Sequence, residues 1–247
     1  MLIFERGADV LDFAAPEDIF LVKPYVPMCS TVLLFGMPTL GKTPIGWALA
    51  EAVQTGGQFL GITAQQGNAL VLEFDMPIYL VKDRWLNADP RFAPHFSVMF
   101  EPQGVDTTQL VSGYPDKRHR EVLEAFLGYH AEYRPRLVVI DALREVIRGD
   151  MSSMGIADHV YRAWHSIFPD AAIVFIHHES KDKDPLVKSD PMQKAKGSLE
   201  FVDVAQVGMR LEKTQKGTYL SVVKTQASAI PSPRAISVGK DGVHING

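Results

Sequence analysis

The sequence has little of three features, and each absence narrows the class of protein. It contains one cysteine, Cys29, so an internal disulfide is excluded and a reducing compartment is favoured. No run of about 18 apolar residues is present, and the first ten residues do not resemble a signal peptide. The formal net charge is −4, so any nucleic-acid contact must come from a local patch. We expect a soluble, cytoplasmic protein without a membrane partner.

What the sequence does contain is a regular alternation of apolar runs and helical patterns. With 46% hydrophobic residues in 247, the chain can bury a full core. The alternation predicts an α/β fold with a largely parallel central sheet flanked by helices. The apolar runs are nearly continuous, which is typical of strands buried on both faces. The predicted strands are 31–36, 69–74, 95–100, 136–141 and 171–177.

Helices are predicted after Lys42, after Pro77, over 117–133 and over 155–168. Beyond residue 197 the pattern changes to short strands at 204–213, 218–224, 235–238 and 243–245. A Lys-Asp-Gly turn between the last two of these strands predicts a hairpin. No linker is evident, so the prediction is a single domain over residues 1–247, with 1–30 at the edge of the sheet.

One motif carries a specific chemistry. It matches G-x-x-x-x-G-K-[ST] between a predicted strand and a predicted helix. Its glycines allow backbone N–H groups to surround anionic phosphates at the N-terminus of the helix. Lys42, expected to face solvent, would reach the β- and γ-phosphates of ATP, and the Thr43 hydroxyl would bind Mg²⁺. The motif consists of Gly36, Met37, Pro38, Thr39, Leu40, Gly41, Lys42 and Thr43.

Pro44 follows the motif and has no backbone N–H. The residue at this position commonly donates to the α-phosphate, although proline is also favourable in the first turn of a helix. We expect ordinary recognition of the γ-phosphate and weaker contact with the α-phosphate.

Polar residues at the ends of the other predicted strands supply candidate catalytic groups. Asp141 ends an apolar strand and would hold Mg²⁺ through a water molecule. If the strand over 69–74 continues, Glu73 and Asp75 share a face, and either could orient or deprotonate the attacking water. Both could equally be ordinary charges at a strand end. His177 and His178 could sense the γ-phosphate, or could simply be satisfied histidines at a strand terminus.

In this order and spacing, the motifs resemble the RecA/DnaB superfamily, particularly RepA-like replicative ATPases of plasmids and phages. The resemblance lies in segments 17–43, 74–85, 174–181, 196–213 and 221–226. It implies a RecA-like core in which Asp75, rather than Glu73, is the catalytic carboxylate and His178 is the phosphate sensor. It also implies a basic finger at a subunit boundary. Lys224 is the first candidate, with Gln226 where an arginine is usual. Arg210 is the second, as the end of the strand that follows a Gly-Ser turn.

The resemblance further implies a ring or filament that holds ATP between subunits and single-stranded DNA at its centre. The DNA-binding loops would be 144–155 and 180–196. The second loop has a surplus of two positive charges, and unpaired lysines would contact phosphates without reading sequence. A solvated loop of mixed charge is the alternative. The candidate DNA-binding residues are Arg144, Arg148, Lys181, Lys183, Lys188, Lys194 and Lys196.

Three functions are compatible with these features. The first is an oligomeric ATPase that moves along DNA, with a hexameric replicative helicase of the RepA kind as the leading form. The second is a RecA-like recombinase or strand-annealing ATPase that forms filaments. The third is an ATP-gated regulatory module with slow turnover, which the off-pattern residues Asp75 and Gln226 keep open.

Overall fold

The structure is a computed structural model that describes residues 19–88, 94–179, 200–227, 229–239 and 242–245. The helices are α1 (Lys42–Thr55), α2 (Ile78–Ala88), α3 (Thr107–Leu110), α4 (Lys117–Tyr133), α5 (Ile156–Ile167) and α6 (Glu200–Val204). The strands before α4 are β1 (Phe20–Val22), β2 (Val26–Pro27), β3 (Thr31–Gly36), β4 (Gln58–Phe59), β5 (Ile62–Thr63), β6 (Ala69–Glu73) and β7 (Ser97–Phe100). After it come β8 (Leu137–Asp141), β9 (Ala172–His178), β10 (Val207–Thr214), β11 (Gly217–Thr225), β12 (Arg234–Gly239) and β13 (Gly242–Ile245).

The described residues form a nine-stranded central sheet in the order β13-β12-β11-β10-β3-β9-β8-β6-β7. The strands from β10 to β7 in this order pair in parallel. The strands β10 to β13 pair antiparallel, each with the next. The predicted fold class is therefore confirmed, including the antiparallel strands at the C-terminal end and the hairpin between the last two.

Apolar side chains cover both faces of the parallel strands. Because side chains alternate along a strand, Leu34 of β3 enters the core beneath α1, whereas Phe35 enters the core beneath α4 and α5. Helix α1 contributes Ile45 and Leu49 to the first core, and α5 contributes Trp164 to the second. This two-sided burial explains why the sequence shows continuous apolar runs instead of alternation.

Most predicted elements agree with the structure to within a few residues, and the helix over 117–133 agrees at both ends. The strand predicted from 204 was wrong at its start. Residues 200–204 form the short helix α6, and β10 begins at Val207. Helix α3 was missed because four residues are too few to show a helical period.

Residues 19–30 form the β1–β2 hairpin and its exit to β3, and they contribute Leu21, Tyr25 and Val26 to the core beneath α1. Residues 1–18 lie outside the described residues, so an edge position for the whole of 1–30, like the single-domain boundary, stays a prediction. Among the described helices, none has both the length and the apolar character that a membrane crossing requires.

Candidate nucleotide site

The phosphate loop connects the end of β3 to the start of α1. Gly36 is the last residue of β3, Lys42 is the first of α1, and Gly41 is the N-cap, with φ of 96°. This left-handed conformation favours glycine and turns the chain directly into the helix. Since the first N–H groups of a helix have no partner within the helix, the loop presents donors and a positive dipole end to an anion. Pro44 lies in the first turn of α1, as expected.

Lys42 is buried, with 5% of its surface exposed, so the expectation that it faces solvent was wrong. Its Nζ donates to the carbonyl oxygens of Gly36, at 3.0 Å, and Met37, at 2.9 Å. Burial lowers the pKa of Lys42, and the nearby charges of Asp141, Glu179 and Asp75 oppose this effect. Two backbone carbonyl oxygens are therefore the partners of the ammonium group. In the predicted role of Lys42, phosphate oxygens would take their place.

Thr43 and Asp141 meet at the carboxyl end of the sheet. The Thr43 hydroxyl donates to Oδ2 of Asp141 at 2.5 Å, and Asp141 is 2% exposed at the end of β8. Burial raises the pKa of Asp141 to about 6, against the lowering effect of the Thr43 hydrogen bond. A hydroxyl and a carboxylate are the oxygen ligands that Mg²⁺ takes, usually with waters and phosphate oxygens. These two residues fit a magnesium nucleotide.

Glu73 and Asp75 do not share a strand face, because β6 ends at Glu73. Glu73 lies opposite Asp141 in the parallel register and is 1% exposed, whereas Asp75 is exposed. Burial, followed by the charge of Asp141, raises the pKa of Glu73 to about 8. The charge of Asp75 acts on Lys42, Glu73 and Asp141, so its carboxylate lies within electrostatic range of all three. Both carboxylates thus belong to the site, although only Asp75 is open to solvent.

The two histidines are at the end of β9, next to the start of the phosphate loop. His178 is half-buried and pairs with Gly36 in the parallel register, and His177 pairs with Phe35. The His177 ring is buried against Phe201. His178 is therefore the histidine placed where a change in the phosphate loop could reach it, and its sensing role stays a prediction.

Both candidate finger residues make contacts within the chain. Arg210 pairs with Glu179, at 2.9 Å, and with Glu212, at 2.8 Å. It lies in the middle of β10 rather than at its end, so the predicted strand end was wrong. Lys224 of β11 donates to the carbonyl oxygens of Val202, at 3.0 Å, and Asp203.

The candidate DNA-binding residues divide into described and undescribed groups. Arg144 is exposed, and its guanidinium donates to the carbonyl oxygens of Ile147 and Gly149. Arg148, also exposed, donates to the carbonyl oxygen of Gln103. Lys181, Lys183, Lys188, Lys194 and Lys196 lie outside the described residues, as does the Gly-Ser turn at 197–198.

Sequence reasoning missed three residues at the site. Glu179 is buried, donates its N–H to the Gly36 carbonyl at 2.9 Å, and acts electrostatically on Lys42. Arg84 of α2 lowers the pKa of Asp141 through its charge. Val238 of β12 lies against Gly41, since a Cβ built there would be 2.8 Å from its Cγ2. Only Glu179 had a signal, because it directly follows the two histidines at a strand end.

The fold and the site together define a P-loop nucleotide-binding domain. The family model described as an AAA domain matches residues 8–184. This match spans more than half of the 247 residues, and the chain belongs to this family of P-loop ATPases. A search of curated proteins found no significant match.

Proposed function

We propose that this P-loop ATPase hydrolyses ATP as an oligomeric motor on DNA, most closely in the manner of a RepA-like hexameric helicase. The observation that carries the ATPase part is the meeting of Thr43, Asp141 and Lys42 at one end of the sheet. A bound magnesium nucleotide would supply the phosphoryl group and the cation that neutralises its charge.

Each residue of the site has a distinct role in this proposal. Lys42, which now donates to the carbonyls of Gly36 and Met37, would bind phosphate oxygens of a nucleotide in their place. Thr43 and Asp141 would hold the cation with their hydroxyl and carboxylate oxygens. Asp75 is the solvent-open carboxylate whose charge acts on Asp141, so it would orient the attacking water and accept its proton.

The strand order supports a link between nucleotide and DNA. Strands β8 and β9 are parallel neighbours, so the loops that follow them start side by side at the edge of the sheet where the phosphate loop lies. The first loop carries Arg144 and Arg148, and the second begins directly after Glu179. Because the Glu179 N–H bonds to Gly36, a shift in the phosphate loop can move Glu179, the last described residue after β9.

The regulatory alternative is favoured by one observation. Arg210 and Lys224 both have intramolecular partners in the described structure, so neither is preorganised to reach a neighbouring subunit. A chain that uses no such finger would bind ATP and turn it over slowly.

Electron microscopy with a non-hydrolysable ATP analogue and single-stranded DNA tests the proposal, together with ATP turnover measured with and without DNA. Closed rings and DNA-stimulated turnover would support the helicase form. Filaments would favour the recombinase form. Monomers with slow turnover that DNA does not change would reject the motor and favour the regulatory form.

The DNA contact itself is tested by replacing Lys181, Lys183 and Lys188 with alanine. We expect weaker DNA binding and a salt dependence reduced in slope by up to about 0.7 per lost phosphate contact. Nucleotide affinity should not change. An unaltered salt slope would mean that this loop does not contact DNA phosphates.

A further inference from the structure

The turn that follows β6 is held by buried side chains on both faces of the sheet. Phe74 is buried in the core beneath α4 and α5, and Met76 is buried in the core beneath α1. Asp75 lies between them with its side chain exposed. The turn therefore passes from one face of the sheet to the other, and Asp75 is the one residue of the three that reaches solvent.

A single buried oxygen organises the backbone of this turn. Oε1 of Glu73 accepts hydrogen bonds from the N–H groups of Asp75, at 3.1 Å, and Met76, at 3.0 Å. The Phe74 N–H donates to the Asp141 carbonyl at 2.6 Å, and the Glu101 N–H donates to the Glu73 carbonyl at 3.2 Å. The first of these two bonds joins the turn to the end of β8, and the second joins the end of β6 to the loop after β7. Only the Glu73 side chain fixes the Asp75 N–H itself.

We infer that Glu73 is a positioning residue, whose buried carboxyl oxygen holds the turn that presents the Asp75 carboxylate to solvent at the end of the sheet where Asp141 lies. This inference rests on the proposed function, in which Asp75 orients the attacking water. A water-orienting group must be held within a fraction of an ångström, and an error of about 1 Å can cost about a hundredfold in rate. An exposed aspartate on an unsupported turn would not meet that requirement.

The geometry separates this role from direct catalysis. Acceptance of the two N–H groups needs an oxygen acceptor at Oε1 but no negative charge. Glutamine keeps that acceptor at the same distance from the backbone, whereas leucine has nearly the same size and no acceptor. A residue that removed a proton from water would instead require the carboxylate, so the glutamine variant distinguishes the two roles.

The test compares Glu73→Gln and Glu73→Leu with the parent protein. We would measure steady-state ATP turnover, and nucleotide binding by calorimetry. NMR would measure the rate of amide hydrogen exchange at Asp75 and Met76. We expect Glu73→Gln to retain turnover within about threefold. Glu73→Leu should lower kcat by about a hundredfold without changing the nucleotide Kd. Exchange at the two amides should rise by at least about fivefold in Glu73→Leu alone.

Three results would overturn the inference. Equal loss of turnover in both variants would make the Glu73 carboxylate itself the reacting group. Faster exchange in Glu73→Leu with unaltered kcat would show that the turn needs no such support. Unchanged exchange in Glu73→Leu would show that the side chain does not hold the turn. If the parent protein has no ATPase activity, the proposed function fails, and the exchange measurement still decides whether Glu73 fixes the Asp75 backbone.

Discussion

The Thr43 hydroxyl lies 2.5 Å from Oδ2 of Asp141, although the two residues are 98 positions apart in the chain. Thr43 stands at the start of α1 and Asp141 at the end of β8, which β9 separates from β3 in the sheet. Their contact fixes the hydroxyl and the carboxylate as one oxygen-rich unit next to the phosphate loop.

Asp141→Asn should weaken binding of magnesium ATP by about tenfold or more, since groups that hold a metal through other ligands typically contribute this much. The amide still accepts the Thr43 hydrogen bond, so the loop should keep its shape. Calorimetry with ATP and magnesium measures the effect. The same titration with EDTA is the control, because metal-free affinity should not fall. Parent-like affinity in magnesium would contradict the assignment of Asp141.

Asp75→Asn should bind ATP normally and lose turnover by about a hundredfold or more, because an amide cannot accept the proton of the attacking water. Single-turnover hydrolysis measured at saturating ATP isolates the chemical step. Asp83→Asn, an aspartate on the exposed part of α2, is the matched control for the loss of one charge. If Asp75→Asn keeps its turnover, another group must orient and deprotonate the attacking water.

Lys224→Ala tests whether a basic finger from one subunit completes the ATP site of its neighbour. A cationic finger supplied by a neighbour can be worth about a thousandfold in turnover. Turnover per subunit should therefore rise with protein concentration in the parent and stay flat in the variant. Nucleotide binding by the isolated subunit should be unaltered. To act in this way, the Lys224 ammonium must leave the carbonyls of Val202 and Asp203.

Mixing Lys224→Ala with Lys42→Ala should restore part of the activity, since each variant supplies the group that the other lacks. Lys216→Ala, which removes an exposed lysine from the β10–β11 turn, is the control for charge. Gln226→Arg should raise turnover. A parent protein with concentration-independent turnover, matched by Lys224→Ala, would reject a finger at this position.

Gly36→Ala should destabilise the nucleotide-free protein by about 2 kcal/mol or more, because the new methyl group cannot be accommodated without a shift of backbone. A Cβ built at Gly36 lies 2.4 Å from the carbonyl oxygen of Leu211 on β10. Urea unfolding measures the change. Gly128→Ala in α4 meets nothing within 4 Å and should instead stabilise by about 0.5 to 1 kcal/mol. Equal midpoints for the two variants would contradict the close packing of β3 on β10.

His165 should make stability depend on pH. Burial lowers the pKa of its ring, whose Nε2 lies 2.9 Å from the Thr31 hydroxyl. The unfolded chain therefore binds a proton more readily than the folded protein does. The stabilisation by the neutral ring is present above the ordinary histidine pKa of about 6.5, and it is lost as the pH falls through the lower folded pKa.

His165→Gln should reduce this dependence, since the amide can still bond to Thr31 but does not titrate. The measurement compares urea midpoints near neutral pH with those at about pH 5.5 in both proteins. Because other buried groups also titrate in this range, the difference between the two proteins isolates His165, and an unaltered pH dependence in the variant would contradict the prediction.

Local pattern was sufficient for the parallel strands, the long helices and the phosphate loop. Each of these depends on neighbours in sequence: a continuous apolar run, a helical period, or glycines placed where the chain must turn. The motif at 36–43 could be assigned to phosphate binding because its strand and helix are adjacent in the chain.

Local pattern failed where a role depends on which strands become neighbours. Arg210 looked available as a finger, but its strand β10 lies beside β3. On the other side of β3 lies β9, and the buried Glu179 directly after β9 pairs with Arg210. Lys42 looked exposed, but the loop folds back so that carbonyls of Gly36 and Met37 receive its ammonium group.

The α/β core and the phosphate loop follow from spacings of a few residues, so both can be predicted from the amino-acid order. The contact of Asp141 with Thr43, the burial of Glu73 next to the exposed Asp75, and the bonds from Lys224 to α6 follow from how the strands assemble. The physical reason is the strand order. Non-consecutive strands are brought together by burial of both sheet faces at once, a property of the whole chain that no short segment encodes.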